Sequence, residues 1–541
     1  MTGVLLIERA RISFLTPFQV HRTLRRGAAL ALNAVPIMSL SAALEAWRSI
    51  LGAEHVIISG ERLEQAQHAT FASSQGAVAI LRPLSSQEIQ DCVRVAVSHR
   101  VPLYPVSRGK NWGLGSRVPT SADCVLLDLG RLDRIVEFDD KLGYLTVEPG
   151  VTFAQGSEYL RARSARHYLS TIGGARDASL LANALERGDG SGPCGDRAAF
   201  IGGLEVVLPD GDILHSGFER FGDASCARLH RFGVGPSLDG LFMQSNLGIV
   251  TRATIWLARR PAVQRRFVCK VDNLPALEQA IDVAQDLFAR GILGPGGLTA
   301  WNVYKFLARQ GRYPWQLMDG RTPLSMGERG LTEPWFVSGT IDADSDAHAA
   351  ASMAAVETAF TTVSAQFDVL DTESLDVETR GQLDPGTPVD DNLRTAYWRK
   401  RGAIPPDMDL DRDRCGVIWV CPSFPFDGAQ ITAAMAQVHQ IGLDHGFEPH
   451  VGFSPTSQRS MNGYVSLMFD REVAGEDERA MACHDALMRA LIALGHYPYR
   501  LGIQSMHALP PARGAHDLFL KRLRSVYDPQ GIIAPGRYDA S

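Results

Sequence analysis

The sequence has no CxxC pair, no metal-finger spacing and no internal repeat, and its eight cysteines are scattered through 541 residues. A disulfide framework and a structural zinc site are therefore not indicated, and a reducing, cytoplasmic setting is the expectation. An excess of positive charge is also missing. Fifty-four Lys and Arg against 60 Asp and Glu leave a net charge of −6, which argues against nucleic acid as the main partner. Beyond the first forty residues no run is long and apolar enough to cross a membrane. Arg22–Met38 (RTLRRGAALALNAVPIM) has a basic start and an apolar run like an export signal, but Asn33 and Pro36 interrupt it and no clean small-residue cleavage site follows. It reads as an N-terminal extension covering residues 1–40, or as leader to a true start at Met38.

A 45% hydrophobic content over this length supports a large core and two or more domains. The most informative stretch is Pro105–Ser116, PVSRGKNWGLGS. Ahead of it, Val78–Leu81, Ser85–His99 and Val101–Val106 read as strand, helix and strand, with Ser85 or Ser86 capping the helix. Glycines at 109, 113 and 115 let successive N–H groups turn toward one anion, and Ser107, Arg108, Lys110 and Asn111 add side-chain donors. Such a loop suits a pyrophosphate. A plain turn between strands is the alternative when the loop is taken alone.

Further along, Cys124–Leu129, Ile135–Asp139 and Leu145–Val147 read as short strands. Thr152–Ser164 has helical spacing, and Leu169–Gly188 is a second glycine-containing turn that feeds a helix N-terminus. Gly202–Leu208 and Asp212–Ser216 read as a hairpin, and Gly248–Leu257 as a strand. Past Arg259–Pro261 the chain alternates helical segments (Leu274–Arg290, Ser345–Gln366, Gln430–His445) with strand-like ones (Phe336–Ile341, Gly416–Val420, Tyr464–Phe469), which suggests an α+β sheet domain. Glu373–Asp413 is polar, Pro- and Asp-rich, and reads as an exposed, mobile excursion or a lid.

The sequence resembles a known family at several ordered places: PVSRGKNWGLGS, VLLDLGRLDRIVEF, YLTVEPGVTF, Asn183–Leu214, Phe232–Leu257 and, at the far end, VYDPQGIIAPGRY. These look like the vanillyl-alcohol oxidase and p-cresol methylhydroxylase flavoproteins. The resemblance implies an α+β, two-domain FAD-binding fold with an α+β substrate cap. Residues 41–261 would form the FAD-binding domain, 262–500 the cap, and 501–541 a return to the first domain. It implies an FAD-dependent oxidase or dehydrogenase acting on a small 4-alkylphenol-like substrate or a secondary-metabolite alcohol. A phenolate held by tyrosine and arginine would lose hydride to flavin N5, giving a quinone methide. Oxygen or an electron-carrier protein would reoxidise the flavin, and a homodimer is expected. The same scaffold with a non-phenolic substrate (a hydroxy acid, an alcohol, or a natural product undergoing oxidative cyclisation) is the alternative.

The resemblance also assigns residues. The phenol-binding Tyr-Arg pair falls on Tyr499 and Arg500. FAD contacts fall on Pro105, Ser107, Arg108, Gly109, Lys110, Asn111, Trp112, Gly113 and Leu114. Others fall on Gly174, Ser179, Asn183, Glu186 and Gly188, then on Cys194, Gly248, Ile249, Val250, His450 and Arg537.

Departures matter as much. Leu114 stands where relatives have a third phenol-binding tyrosine, and Gly174 where an aspartate lies near flavin N5. Asp177 would substitute only if its loop shifted. Asn462 and Gly463 fall where a flavin-linking histidine occurs, so FAD is expected to be non-covalent. His450 and Cys194 are the alternative attachment points. His167, His496, His507 and Trp301 are further pocket candidates.

Overall fold

Ser85 starts the helix that precedes the glycine loop, Ser86–His99, because its side chain accepts the Glu88 N–H at 3.2 Å. The Glu88 carboxylate reaches back to the Leu84 N–H at 2.7 Å. Such caps contribute about 1 kcal/mol. Ile89, Cys92, Val93 and Ala96 form its buried stripe. This computed structural model describes residues 37–539, apart from 317, 319, 321, 325, 327–331, 373 and 513. The N-terminal reading therefore lies almost wholly outside the described residues, and the first helix runs Ile37–Leu51.

The helix joins strands Ala77–Leu81 and Leu103–Val106 of a four-stranded sheet, with Cys124–Asp128 inserted between them and parallel to both. The glycine loop thus leaves the carboxyl end of a parallel strand, the usual place for a ligand in such sheets. The tail returns to the same strand. Leu103 N–H donates to Ile532 and Leu103 C=O accepts from Ala534, both at 2.8 Å. A second, antiparallel sheet follows in the order Ile135–Asp139, Tyr144–Val147, Ile249–Trp256, Ile201–Val207, Ile213–His215.

From Val263 onward the strands join one eight-stranded antiparallel sheet, backed by helices Leu274–Ala289, Asp346–Phe360, Gly428–Asp444 and Glu476–Ala493. Period-two alternation explains its two faces. Leu298, Ala300, Ile418, Val420, Val465 and Leu467 point into the core beneath the helices. Their neighbours Thr299, Trp301, Val417, Trp419, Tyr464 and Met468 point the other way, into a cavity.

One sequence expectation fails. The stretch Glu373–Asp413 is not an exposed excursion along its whole length: Leu393, Ala396, Tyr397 and Trp398 are buried, and Asn392, Leu393 and Leu410 line the cavity. Arg399 is buried against Glu448, which also accepts the Tyr313 hydroxyl at 3.0 Å. Polar composition hid a segment whose few apolar and aromatic side chains face inward.

Candidate active site

A cavity of about 580 Å³ runs between the glycine loop and the inner face of the eight-stranded sheet. A second cavity of about 420 Å³, lined by Asn302, Tyr304, Glu333 and His439, touches none of the loop.

The loop's backbone is the first component. Gly109, Gly113 and Gly115 have φ of 68°, 79° and 122°, the region where a side chain is strained. A Cβ at Gly109 would lie 2.1 Å from Arg117 Nε, and one at Gly113 2.0 Å from Trp419 Cδ1. Among the described residues, the N–H groups of Gly109, Lys110, Asn111 and Trp112 meet no acceptor. Four consecutive unsatisfied donors beside a cavity form a nest for an anion, and the diphosphate of FAD fits that requirement. Gly113 plays a different part. Its N–H donates to Thr70 Oγ at 2.8 Å, and its carbonyl accepts from Trp419 N–H at 3.2 Å and from Gln504 Nε2 at 3.3 Å. Gly113 clamps the loop to the eight-stranded sheet.

Side-chain donors divide likewise. Arg108 lines the cavity. Lys110 is taken by Asp409 at 2.8 Å and Asp177 at 3.5 Å. Ser107 and Ser179 both donate to the Pro149 carbonyl, the latter at 2.5 Å. Asn183 lines the cavity with its Oδ1 unpartnered. Trp112 Nε1 and Ser116 Oγ donate to the Asp411 carboxylate at 3.0 and 2.7 Å. Burial pushes the Asp411 carboxyl up to about 7.

The Tyr-Arg pair reaches the same cavity. Arg500 Nη2 donates to Asn111 Oδ1 at 2.6 Å, tying the pair directly to the loop, while its buried Nε has no partner. Tyr499 is anchored through its backbone: its N–H donates to Cys421 C=O and its carbonyl accepts from Gln244, each at 2.9 Å. Burial raises its phenol well above 10, and nearby Cys421 and Asp189 add to the rise. It stays protonated, a hydrogen-bond donor. Below the pair, Arg537 bridges Glu186 at 2.6 Å and Tyr104 at 2.9 Å. Burial pushes Glu186 up, but the Arg537 guanidinium outweighs it and holds the carboxyl below its ordinary value.

Pro105, Leu114, Gly174 and Trp301 also line the cavity. Gly188, Cys194, Gly248, Ile249, Val250 and His450 do not. Ile249 packs with Ile532 and Ile533 behind the loop strand, and Val250 belongs to the core of the antiparallel sheet. Cys194 sits in a small cluster with Tyr168 and Ala258, and burial lifts its thiol to about 11, away from a reactive thiolate. His450 is buried edge-on to Trp398 with both ring nitrogens unpartnered. Burial, then the Lys305 and Arg399 charges, hold it neutral, well below 6.5. Asp177 stays on Lys110 and outside the lining. His167 faces Asp140 at 3.3 Å, His496 packs on Phe424, and His507 is exposed.

Sequence reasoning missed Asp189, Lys305, Trp419 and Tyr464, all of which line the cavity. Asp189 accepts from Ser454 Oγ, and burial raises its carboxyl to about 6. For Trp419 and Tyr464 the signal was present in the alternation of their strands.

Comparison with known proteins adds to this geometry. A family model described as an FAD binding domain matches residues 77–217. The chain is 41% identical over 527 residues to 1'-carboxy-chondrochloren decarboxylase of Chondromyces crocatus, covering 92% of this chain and 97% of that protein. It is 25% identical over 517 residues to the flavoprotein subunit of 4-cresol dehydrogenase [hydroxylating] of Pseudomonas putida, covering 92% and 94%. The crystal structure of p-cresol methylhydroxylase with substrate bound superposes with a TM-score of 0.84 at 23% identity, over 93% of this chain and 97% of that one.

Proposed function

Because this chain belongs to the p-cresol methylhydroxylase-type family of FAD-linked oxidoreductases, we propose that it oxidises a phenol-bearing small molecule of secondary metabolism at the carbon attached para to the hydroxyl. The observation that carries this reading is the placement of Tyr499 and Arg500 on the cavity that also receives the free amides of Gly109–Trp112.

FAD, when bound, supplies a two-electron acceptor through its isoalloxazine ring. The loop amides, with Arg108 beside them, would hold its diphosphate, and the flavin would carry no bond to a side chain. Residues 41–261 and 501–541 act as the cofactor half, and 262–500 as the cap. Tyr499 donates to the substrate's phenolic oxygen, and the permanent charge of Arg500 favours its ionised form. Asn111 fixes the guanidinium, so the oxyanion site is set before substrate arrives. The inner face of the cap sheet excludes water from the reacting carbon. Oxygen or an electron-carrier protein as final acceptor, a homodimer and a cytoplasmic setting belong to the same proposal.

A second reading has its own support. Leu114 and Gly174 supply neither a third phenol donor nor an acid, and the 41% identical relative is named a decarboxylase. Oxidative loss of carbon dioxide would draw the same electron pair from a C–C bond in place of a C–H bond.

Anaerobic mixing of the purified yellow protein with 4-ethylphenol and, separately, with phenolic carboxylates tests both. Flavin bleaching by 4-ethylphenol supports the first reading, and bleaching only by a carboxylate with carbon dioxide release supports the second. Bleaching by aliphatic hydroxy acids alone would overturn both.

A further inference from the structure

The cations around the cavity are not alike. Lys110 is paired with Asp409 and Asp177, and Arg537 with Glu186. Lys305 has no ion pair and no side-chain hydrogen bond among the described residues. Its ammonium lies 4.9 Å from the ring centre of Tyr464, 5.4 Å from that of Trp301 and 5.5 Å from that of Trp419. Three ring faces offset part of the cost of removing a charge from water, but they bring no counter-charge.

The surroundings make that missing charge more conspicuous. Lys305 is the third residue of helix Val303–Gln310, whose N-cap Asn302 accepts the Lys305 N–H at 3.1 Å. A cation there faces the positive end of the helix dipole. Arg309 stacks over Trp301 at 5.7 Å, and His450, held neutral, senses both Lys305 and Arg399. Burial, then Arg309, pulls the Lys305 amine down to about 8. Apart from the three rings, what acts on this group disfavours its proton, and it opens onto the cavity. The buried indole N–H of Trp301 lies beside it, facing the Tyr464 hydroxyl.

We propose that Lys305, framed by Trp301, Trp419 and Tyr464, is the recognition site for a carboxylate carried by the substrate. Tyr464 links this site to the phenol site, since its ring borders Lys305 and it lines the same cavity as Tyr499. A substrate with a phenol at one end and a carboxylate at the other satisfies Arg500 and Lys305 together. This assignment rests on the reading of the cavity as an aromatic-substrate site, and it names the substrate class.

The test compares two probes of one skeleton, 3-(4-hydroxyphenyl)propanoate and 4-propylphenol. Binding to the FAD-loaded protein is followed by perturbation of the flavin spectrum, without turnover. The wild type should bind the carboxylate at least tenfold more tightly than 4-propylphenol. Lys305→Met and Lys305→Gln should abolish that preference while leaving flavin content and 4-propylphenol affinity unchanged. Retention of the tenfold preference in both variants, or an equal loss for both probes, overturns the carboxylate site alone. If neither probe perturbs the wild-type flavin, the aromatic-substrate reading fails and takes this proposal with it.

Discussion

Tyr499→Phe is the sharpest probe of the proposed oxyanion site. The substitution removes one hydroxyl, whose neighbour in the fold is the Cys421 thiol, and keeps both the ring and the backbone bonds to Cys421 and Gln244 at 2.9 Å each. The fold and the loop should therefore be undisturbed. Hydrogen bonds to charged groups contribute about 1.5–3 kcal/mol. If the hydroxyl donates to the substrate's phenolate, anaerobic flavin reduction by 4-ethylphenol should slow roughly 10- to 150-fold. Because burial holds Tyr499 above its ordinary value of 10, the wild-type rate should show no alkaline limb from this residue below that value. Stopped-flow bleaching across pH, with flavin content as the control for folding, measures both effects. A rate within twofold of wild type at equal flavin content would refute the placement of Tyr499 on the reacting phenol. An alkaline limb that vanishes in the Phe variant would refute the argument from burial.

Gly113→Ala places a side chain at φ 79° and a Cβ 2.0 Å from Trp419. The backbone alone costs about 1–2 kcal/mol, so the variant should purify with reduced FAD content, and full occupancy by absorbance would contradict the clamp. Burial pushes the Asp411 carboxyl up to about 7 from 3.8, so the folded state binds the extra proton and stability falls as pH rises through that window. Asp411→Asn should flatten this decline, read as the drop in melting temperature between the two ends of the window; an equal drop in both proteins counts against it. Acid precipitation should leave the yellow colour in the supernatant, whereas colour in the pellet would mean a covalent bond.

The cofactor side was legible because its requirements are local. Gly109 needs positive φ, the donors around it are contiguous, and strand, helix and strand precede it in order. The cap side assembles from separated pieces. Trp301 and Lys305 share one strand–helix stretch, but Trp419 and Tyr464 come from two others, and sheet pairing, with Trp301 opposite Gly452 and Gly452 opposite Tyr464, brings the stretches together. The sequence also offered no sign that the Gly113 N–H is satisfied by Thr70, more than forty residues earlier, nor that Tyr397 and Trp398 turn inward from an acidic stretch. Those depend on which surfaces remain to be covered once the sheets have formed.

The clamp at Gly113 has a thermodynamic corollary. One residue, with positive φ in the glycine loop and its N–H on Thr70, also holds through its carbonyl the strand that bears Trp419, which roofs the cavity. If the loop holds a dinucleotide as proposed, loading it and seating the roof are coupled equilibria, each favouring the other by one and the same coupling free energy. Stripped protein should consequently loosen at the roof first, with the strand bearing Trp419 exchanging its amide hydrogens faster than the parallel sheet beneath the loop.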